Sequence, residues 1–268
     1  MGKLRKLFIN KQTHAITFRA EEGLPLPPNK LIEAIIESIL CRAQTLYPVD
    51  ASGLIFMSNH CHMNLTIIDP EDLDSFVQYV KRESAHAINR LLGRRKHTVW
   101  CDGYDSPQIL DVHKAIEHII YIYTNPQNDN LVEKIDQYPG VCSWKMFINK
   151  DYELKRKRIP RSSIKKVFSR FLTKRQQRRI IKAFKKDRLE ENTFSLEPFA
   201  FLKSFPNSMS EDEARELIIK GVRTREAELA KERKYPAMGR KKLEAQAINA
   251  PHTPKKYGKR MICLSSCI

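Results

Sequence analysis

The chain has 268 residues, 41% of them hydrophobic, with 9 Gly, 14 Pro and a net charge of +17. That length and apolar share suit one large domain or two small ones with a real core, and they exclude a chain disordered throughout. No apolar stretch approaches the ~20 residues of a membrane-spanning helix, "MGKLRKLFIN" carries no signal-peptide apolar region, and the six cysteines form no Cys-x-x-Cys pair, so we expect a cytoplasmic protein with reduced thiols.

The first element expected is a short strand, "THAITFRA" (13–20), followed by the Pro-rich connection "EEGLPLPPN". Apolar residues at 31, 32, 35, 36, 39, 40, 43 and 46 recur at helical spacing and predict a helix from Lys30 to about Tyr47. "GLIFM" and "CHMNLTII" flank the turn-type pair Ser58-Asn59, so 53–68 reads as a hairpin or as two strands meeting at a tight loop. A second helix is expected over about Leu73 to Leu92, then a strand-and-turn region, "HTVWCDGYDSPQIL", then a third helix starting at Val112 with Asp111 as its N-cap. The order β, α, β, β, α, β, α predicts an α+β domain, a small antiparallel sheet with packed helices, ferredoxin-like in order.

In the strand "HCHMNLTI", alternation puts His60, His62, Asn64 and Thr66 on one face and Cys61, Met63, Leu65 and Ile67 on the other. Two imidazoles side by side can aim at one small volume and share a metal ion; they can equally be surface histidines with ordinary partners. On the third helix, positions 112, 115, 116, 119, 120 and 123 form an apolar stripe, while Lys114, Glu117, His118, Tyr121 and Asn125 fall on the polar side. Tyr123 therefore reads as core and Tyr121 projects with Asn125 one turn later. That placement suits a nucleophile beside a cation as well as it suits a surface tyrosine. Pro126 disfavours helical geometry at Asn125, which is expected in a distorted last turn.

Charge is distributed unevenly: residues 1–150 hold 17 basic and 17 acidic side chains, residues 151–268 hold 31 and 14. The run from 155 to 188 interleaves its charges with Ile, Val, Phe and Leu, which predicts basic amphipathic helices. Lys155, Arg156, Lys157, Arg158, Arg161, Lys165, Lys166, Arg170, Lys174, Arg175, Arg178 and Arg179 are its candidate phosphate contacts. A merely solvated face and a membrane surface are the competing readings. Further on, "SEDEARELIIKGVRTREAELAKERK" predicts a charged helix with a capping box at Ser210, and "APHTPKKYGKRMICLSSCI" a Pro- and Lys-rich tail expected to be partly disordered.

Taken together, "MSNHCHMNLTI", "VWCDGYDSPQIL", "YIYTNPQNDNLVEKIDQYPGVCSW" and "HAITFRAEEGLPL" resemble the corresponding segments of the single-tyrosine HUH transposases, specifically the group of REP-associated tyrosine transposases. The resemblance covers about residues 10 to 147. It implies a domain (1–150) that cuts and rejoins hairpin-associated single-stranded DNA through a 5′-phosphotyrosine. Tyr121 would be the nucleophile, and His60, His62 and Asn125 the ligands of Mg²⁺ or Mn²⁺. The basic region (151–268) lies outside the resemblance, as does any answer on a homodimer. "QNDN", after Asn125-Pro126, is less basic than the family's usual step there. Two other classes stay open: a nucleic-acid-binding protein with an inactive or domesticated site, and a zinc hydrolase using His60, His62 and Cys61 or Cys101. Strand alternation, which sends Cys61 to the opposite face, weakens the last.

Overall fold

In the computed structural model, residues 8–21, 23–184 and 190–251 are described. Strands β1 (Thr13–Arg19) and β2 (Val49–Phe56) flank β3 (His60–Ile67), which is antiparallel to both. Residues 100–108 run along the outer edge of β1 through isolated pairings of Ala20 with Trp100, Thr17 with Asp105 and His14 with Gln108. This edge holds the fourth place of a ferredoxin-like order, 4-1-3-2. It is not the regular strand expected, because Gly103 turns the backbone to φ 71° and Pro107 has no N–H to give.

Three capped helices cover the sheet. Helix α1 (Lys30–Leu46) starts at Asn29, whose side chain accepts from the Leu31 and Ile32 amides at 3.1 Å each. Helix α2 (Pro70–Leu91) begins three residues earlier than its apolar pattern suggests, since Asp69 caps it and Pro70 is preset for a first turn. Helix α3 (Val112–Asn128) begins where expected, with Asp111 accepting from the Lys114 amide at 2.8 Å. Phe18 of β1 meets Trp100 edge-to-face at 4.9 Å, and the Trp100 indole donates to Ser84 of α2 at 2.9 Å. Helix α2 thus covers the Phe18 and Cys61 face, and α3 covers the other.

The central strand is buried on both faces, all eight residues of it. The polar ladder of His60, His62, Asn64 and Thr66 is therefore an interior feature, which rules out the surface-histidine reading. A buried polar face needs partners, and α3 supplies several of them.

The remaining elements are α4 (Trp144–Asn149), β4 (Glu153–Lys157), α5 (Lys174–Phe184), β5 (Glu191–Ser195), α6 (Glu211–Glu232) and α7 (Arg240–Glu244). The expected run of basic helices is α-helical only from Lys174, with a single 3-10 turn at Arg161–Ser163 before it. Before that, the chain is β4 paired with β5 and then irregular through Pro160, its backbone engaged elsewhere. Ser38 and Cys41 of α1 donate to the Lys157 and Leu154 carbonyls, and Gln44 brackets the Ser195 backbone at 2.7 and 3.0 Å. Helix α6 has the expected capping box and lies against α3. Gly221 permits that approach, because a Cβ there would overlap Ile120. No helix among the described residues is long and apolar enough to cross a membrane, and Cys41, Cys61, Cys101 and Cys142 are free thiols. Most of the basic tail, from His252 on, falls outside the described residues, as do residues 185–189.

Candidate active site

Where α3 crosses β3, four side chains converge. The Tyr121 hydroxyl is 3.4 Å from His62 Nε2, and Asn125 Oδ1 is 3.3 Å from His60 Nε2. The two imidazoles meet edge-to-face with centroids 5.0 Å apart, and the His62 and Tyr121 rings do the same at 5.1 Å. All the candidates read from the strand and the helix are therefore in one place.

Neighbours fix the rings. His60 Nδ1 donates to Asn59 Oδ1 at 2.8 Å, which turns Nε2 toward Asn125. His62 Nδ1 is tied to Thr17 Oγ1 of β1 at 2.8 Å, which leaves Nε2 facing the phenol. Burial pushes the His62 pKa well below its usual value, and the nearby His60, His118 and Arg19 add to that. His118, one turn before Tyr121, is lowered to about 4 by desolvation; its ring stacks beside Tyr121 at 6.3 Å and approaches Asn64 Nδ2 at 3.4 Å. Neutral imidazoles are the form that ligates metals.

These donors fit a divalent ion. His60 Nε2 and Asn125 Oδ1 lie 3.3 Å apart, close enough for both to bind one cation as adjacent ligands. Cys61 points into the opposite layer, fully buried with its thiol pKa raised by desolvation, and so stands apart from the histidines. Among the described residues, no three of His, Cys, Asp and Glu gather in a way that could hold a metal; the side chain that joins the two histidines here is the Asn125 amide.

Helix α3 is held firmly. As expected, Asn125 falls in the last turn of the helix, and it is helical and buried there although Pro126 follows it, with α3 ending at Asn128. A Schellman arrangement then closes it: Leu131 N–H donates to Pro126 O at 2.8 Å, Asn130 N–H to Gln127 O at 2.9 Å, and Asn130 takes φ 56°. Pro126 has no N–H for the Ile122 carbonyl, and the cap formed by residues 129–131 holds the last turn after it. Tyr123 behaves as core, fully buried with its hydroxyl 3.0 Å from Ser143 Oγ. On the outer side, buried Glu226 of α6 accepts from Gln127 Nε2 and the Ile135 amide at 2.7 Å each and pairs with Arg223 at 2.8 Å.

Thr17, Asn64, His118 and Glu226 were not singled out from the sequence. The first three carried a faint signal, since Asn64 continues the two-residue ladder, His118 precedes Tyr121 by one turn, and Thr17 lies in a predicted strand. Nothing local marked Glu226.

The basic candidates divide in two. Lys155 pairs with Glu153 (2.9 Å), Arg156 with Glu37 (2.7 Å), Arg161 with Glu83 (2.8 Å) and Lys174 with Glu244 (2.8 Å). Lys157, Arg158, Lys165, Lys166, Arg170, Arg175, Arg178 and Arg179 are exposed, and no acidic side chain among the described residues pairs with them.

Residues 28–125 match the family model described as the IS200-like transposase. Among solved structures, a REP-associated tyrosine transposase bound to a REP hairpin shares 16% identity, with a TM-score of 0.48 over 56% of this chain and 87% of that one. A Deinococcus radiodurans R1 protein described as a transposase shares 17%, with a TM-score of 0.32 over 46% and 95%. The tRNA(His) guanylyltransferase of Saccharomyces cerevisiae shares 10%, with a TM-score of 0.35 over 78% and 85%. No curated protein matches the chain. Over residues 28–125, which hold α1, both histidines, α2 and α3 as far as Asn125, the chain is similar to the IS200-like transposases.

Proposed function

We propose that this chain nicks and rejoins single-stranded DNA beside a hairpin, with Tyr121 as nucleophile and His60, His62 and Asn125 holding Mg²⁺ or Mn²⁺. The observation that carries the reading is the convergence of the Tyr121 hydroxyl and the Asn125 oxygen on the two histidines, on one buried face of the sheet. The choice of substrate is supported by the IS200-like match and by the resemblance of residues 10 to 147 to the REP-associated tyrosine transposases.

The reaction balances without a nucleotide cofactor. The Tyr121 Oη–P bond forms as the P–O3′ bond breaks; the phenol loses a proton and the 3′-oxygen gains one, leaving a 5′-phosphotyrosine and a free 3′-hydroxyl. The phosphotyrosine conserves the phosphodiester's energy, so a 3′-hydroxyl can reverse the step. A bound divalent ion would polarise the scissile phosphate and offset its developing charge. The chain's own groups do the positioning: Thr17 and Asn59 orient the imidazoles, α3 fixes Tyr121 and Asn125 one turn apart, and α6 braces α3. We assign chemistry to residues 1–150 and affinity for the polyanion to residues 151–268, through the twelve basic candidates.

The test is to incubate the protein with Mg²⁺ and a labelled hairpin library carrying random single-stranded flanks, then to isolate covalent adducts and map the attached residue by mass spectrometry. An adduct on Tyr121 that disappears with EDTA is the expected result. Attachment to another residue, or cutting without an adduct, overturns the assignment.

A further inference from the structure

The segment between β4 and α5 sorts its apolar residues unevenly. Ile164 is buried, and Val167 and Leu172 pack against the core. The two largest, Phe168 and Phe171, face outward at 109% and 68% exposure. The backbone is anchored just before Phe168 and again between the two rings, since Val167 N–H donates to Leu91 O at 2.9 Å and Ile248 N–H to Arg170 O at 3.1 Å. Two aromatic rings are thus held in water by a pinned segment, at a cost in apolar hydration that a partner would recover.

Their surroundings select that partner. Residues 154–184 contain 13 Lys and Arg and no Asp or Glu. Lys165, Lys166 and Arg170 flank the rings, exposed and without acidic partners among the described residues. The Lys166 stem lies across Gly93, which brings the segment to the C-terminal end of α2, where Arg90, Arg95, Lys96 and Arg161 line one cleft. Exposed rings spaced between unpaired cations match a polymer that alternates flat π-faces with phosphates. A membrane would favour an apolar face along a helix, and this segment is irregular.

We infer that Phe168 and Phe171 form a stacking platform for unpaired bases of single-stranded DNA, with Lys165, Lys166 and Arg170 taking the intervening phosphates. The identity of the polymer as DNA rests on the function proposed above. The platform is a binding surface apart from Tyr121 and the histidines, and it reads single-strandedness rather than sequence, because every base has a π-face.

The experiment compares the full chain with an F168A/F171A variant on two probes of equal phosphate count, an oligothymidylate and an abasic strand. The wild type should prefer the oligothymidylate. The variant should lose about 10–100-fold in affinity for it and nothing on the abasic strand, with an unchanged salt slope because every cation that meets a phosphate is still in place. A Phe168→Trp variant should retain affinity, and its indole fluorescence should change on adding oligothymidylate, since Trp100 and Trp144 are both buried. Equal affinity of variant and wild type for oligothymidylate overturns the inference, as does an equal loss on both probes. A change in sedimentation with DNA affinity intact would overturn it in favour of contact between copies. Loss of binding to phosphatidylserine vesicles with DNA affinity intact would overturn it in favour of a lipid surface. All readouts are of binding, so failure to form a Tyr121 adduct would strike the proposed chemistry and leave this result standing.

Discussion

The parts of the chain before and after residue 150 handle polar groups in opposite ways. The first part balances 17 basic against 17 acidic residues and buries His60, His62 and Asn125 where helix meets sheet. The second carries the whole excess of +17 and spreads Lys165, Lys166, Arg170, Arg175, Arg178 and Arg179 over its surface. Chemistry on a phosphodiester needs fixed groups in a low-dielectric setting, whereas attraction to a polyanion needs cations that water and phosphate can both reach. The division is not complete, because α6 belongs to the second part and braces α3 of the first. Deleting everything after 150 would strip cover from α1 and α3 together, so the two roles are better separated by point substitutions.

The largest effect should come from Tyr121→Phe, which removes the proposed nucleophile and with it all covalent adduct, while DNA affinity and Tm stay near wild type. Tyr123→Phe should still form adduct and lose about 1 kcal/mol from its buried hydrogen bond to Ser143. An active Tyr121→Phe protein would break the comparison at its centre. Next, His60→Ala or Asn125→Ala should slow cleavage on the order of 10²–10³-fold, the several kcal/mol expected of a metal's charge stabilisation, with binding preserved. Undiminished cutting by either variant in excess EDTA would show that no metal takes part.

Replacing Lys165, Lys166, Arg170 and Arg178 together by Gln should weaken DNA binding and make the plot of log affinity against log salt shallower by roughly 0.7 for each phosphate left without its cation. An unchanged slope would mean that this surface meets something other than DNA. Glu226→Ala sharpens the exception. It orphans Gln127 Nε2 and the Ile135 amide and leaves Arg223 without a buried partner, so urea melts should show a loss of about 3 kcal/mol.

The smallest effect is in pH. The folded-state pKa of His118 is lowered to about 4, so its contribution to stability is complete above its ordinary value near 6.5 and is lost as pH falls from there through 4, because the unfolded chain takes up the proton first. Metal-free protein should lose about 1–2 kcal/mol between pH 7 and 5 from this group, and a His118→Gln variant should show a flatter profile.

Periodicity made much of this molecule legible. The stripe on α3 separated Tyr121 from Tyr123, and strand alternation separated His60 and His62 from Cys61, because both follow from backbone geometry alone. Burial was less legible: alternation marked the polar face of β3 but could not show that α3 and the 200–204 turn would cover it. Pro126 marked the last turn of α3 but not where it ends, since the Asn130 cap that closes the helix after Asn128 depends on residues beyond the proline. The basic run was read as helix from its composition, yet β4 forms there because its partners, β5 and α1, lie far away in sequence. Glu226 was invisible on the same ground, being 99 residues from Gln127.

The 3.4 Å contact between Tyr121 and His62 joins two residues of the same polypeptide. If the reaction uses the site in this arrangement, every proposed group is supplied in cis and no neighbouring copy is required. If copies associate, a protomer lacking Tyr121 and one lacking His60 hold two broken sites that cannot mend each other. Mixtures of dead and intact chains should then lose activity in straight proportion to the dead fraction, as independent units do.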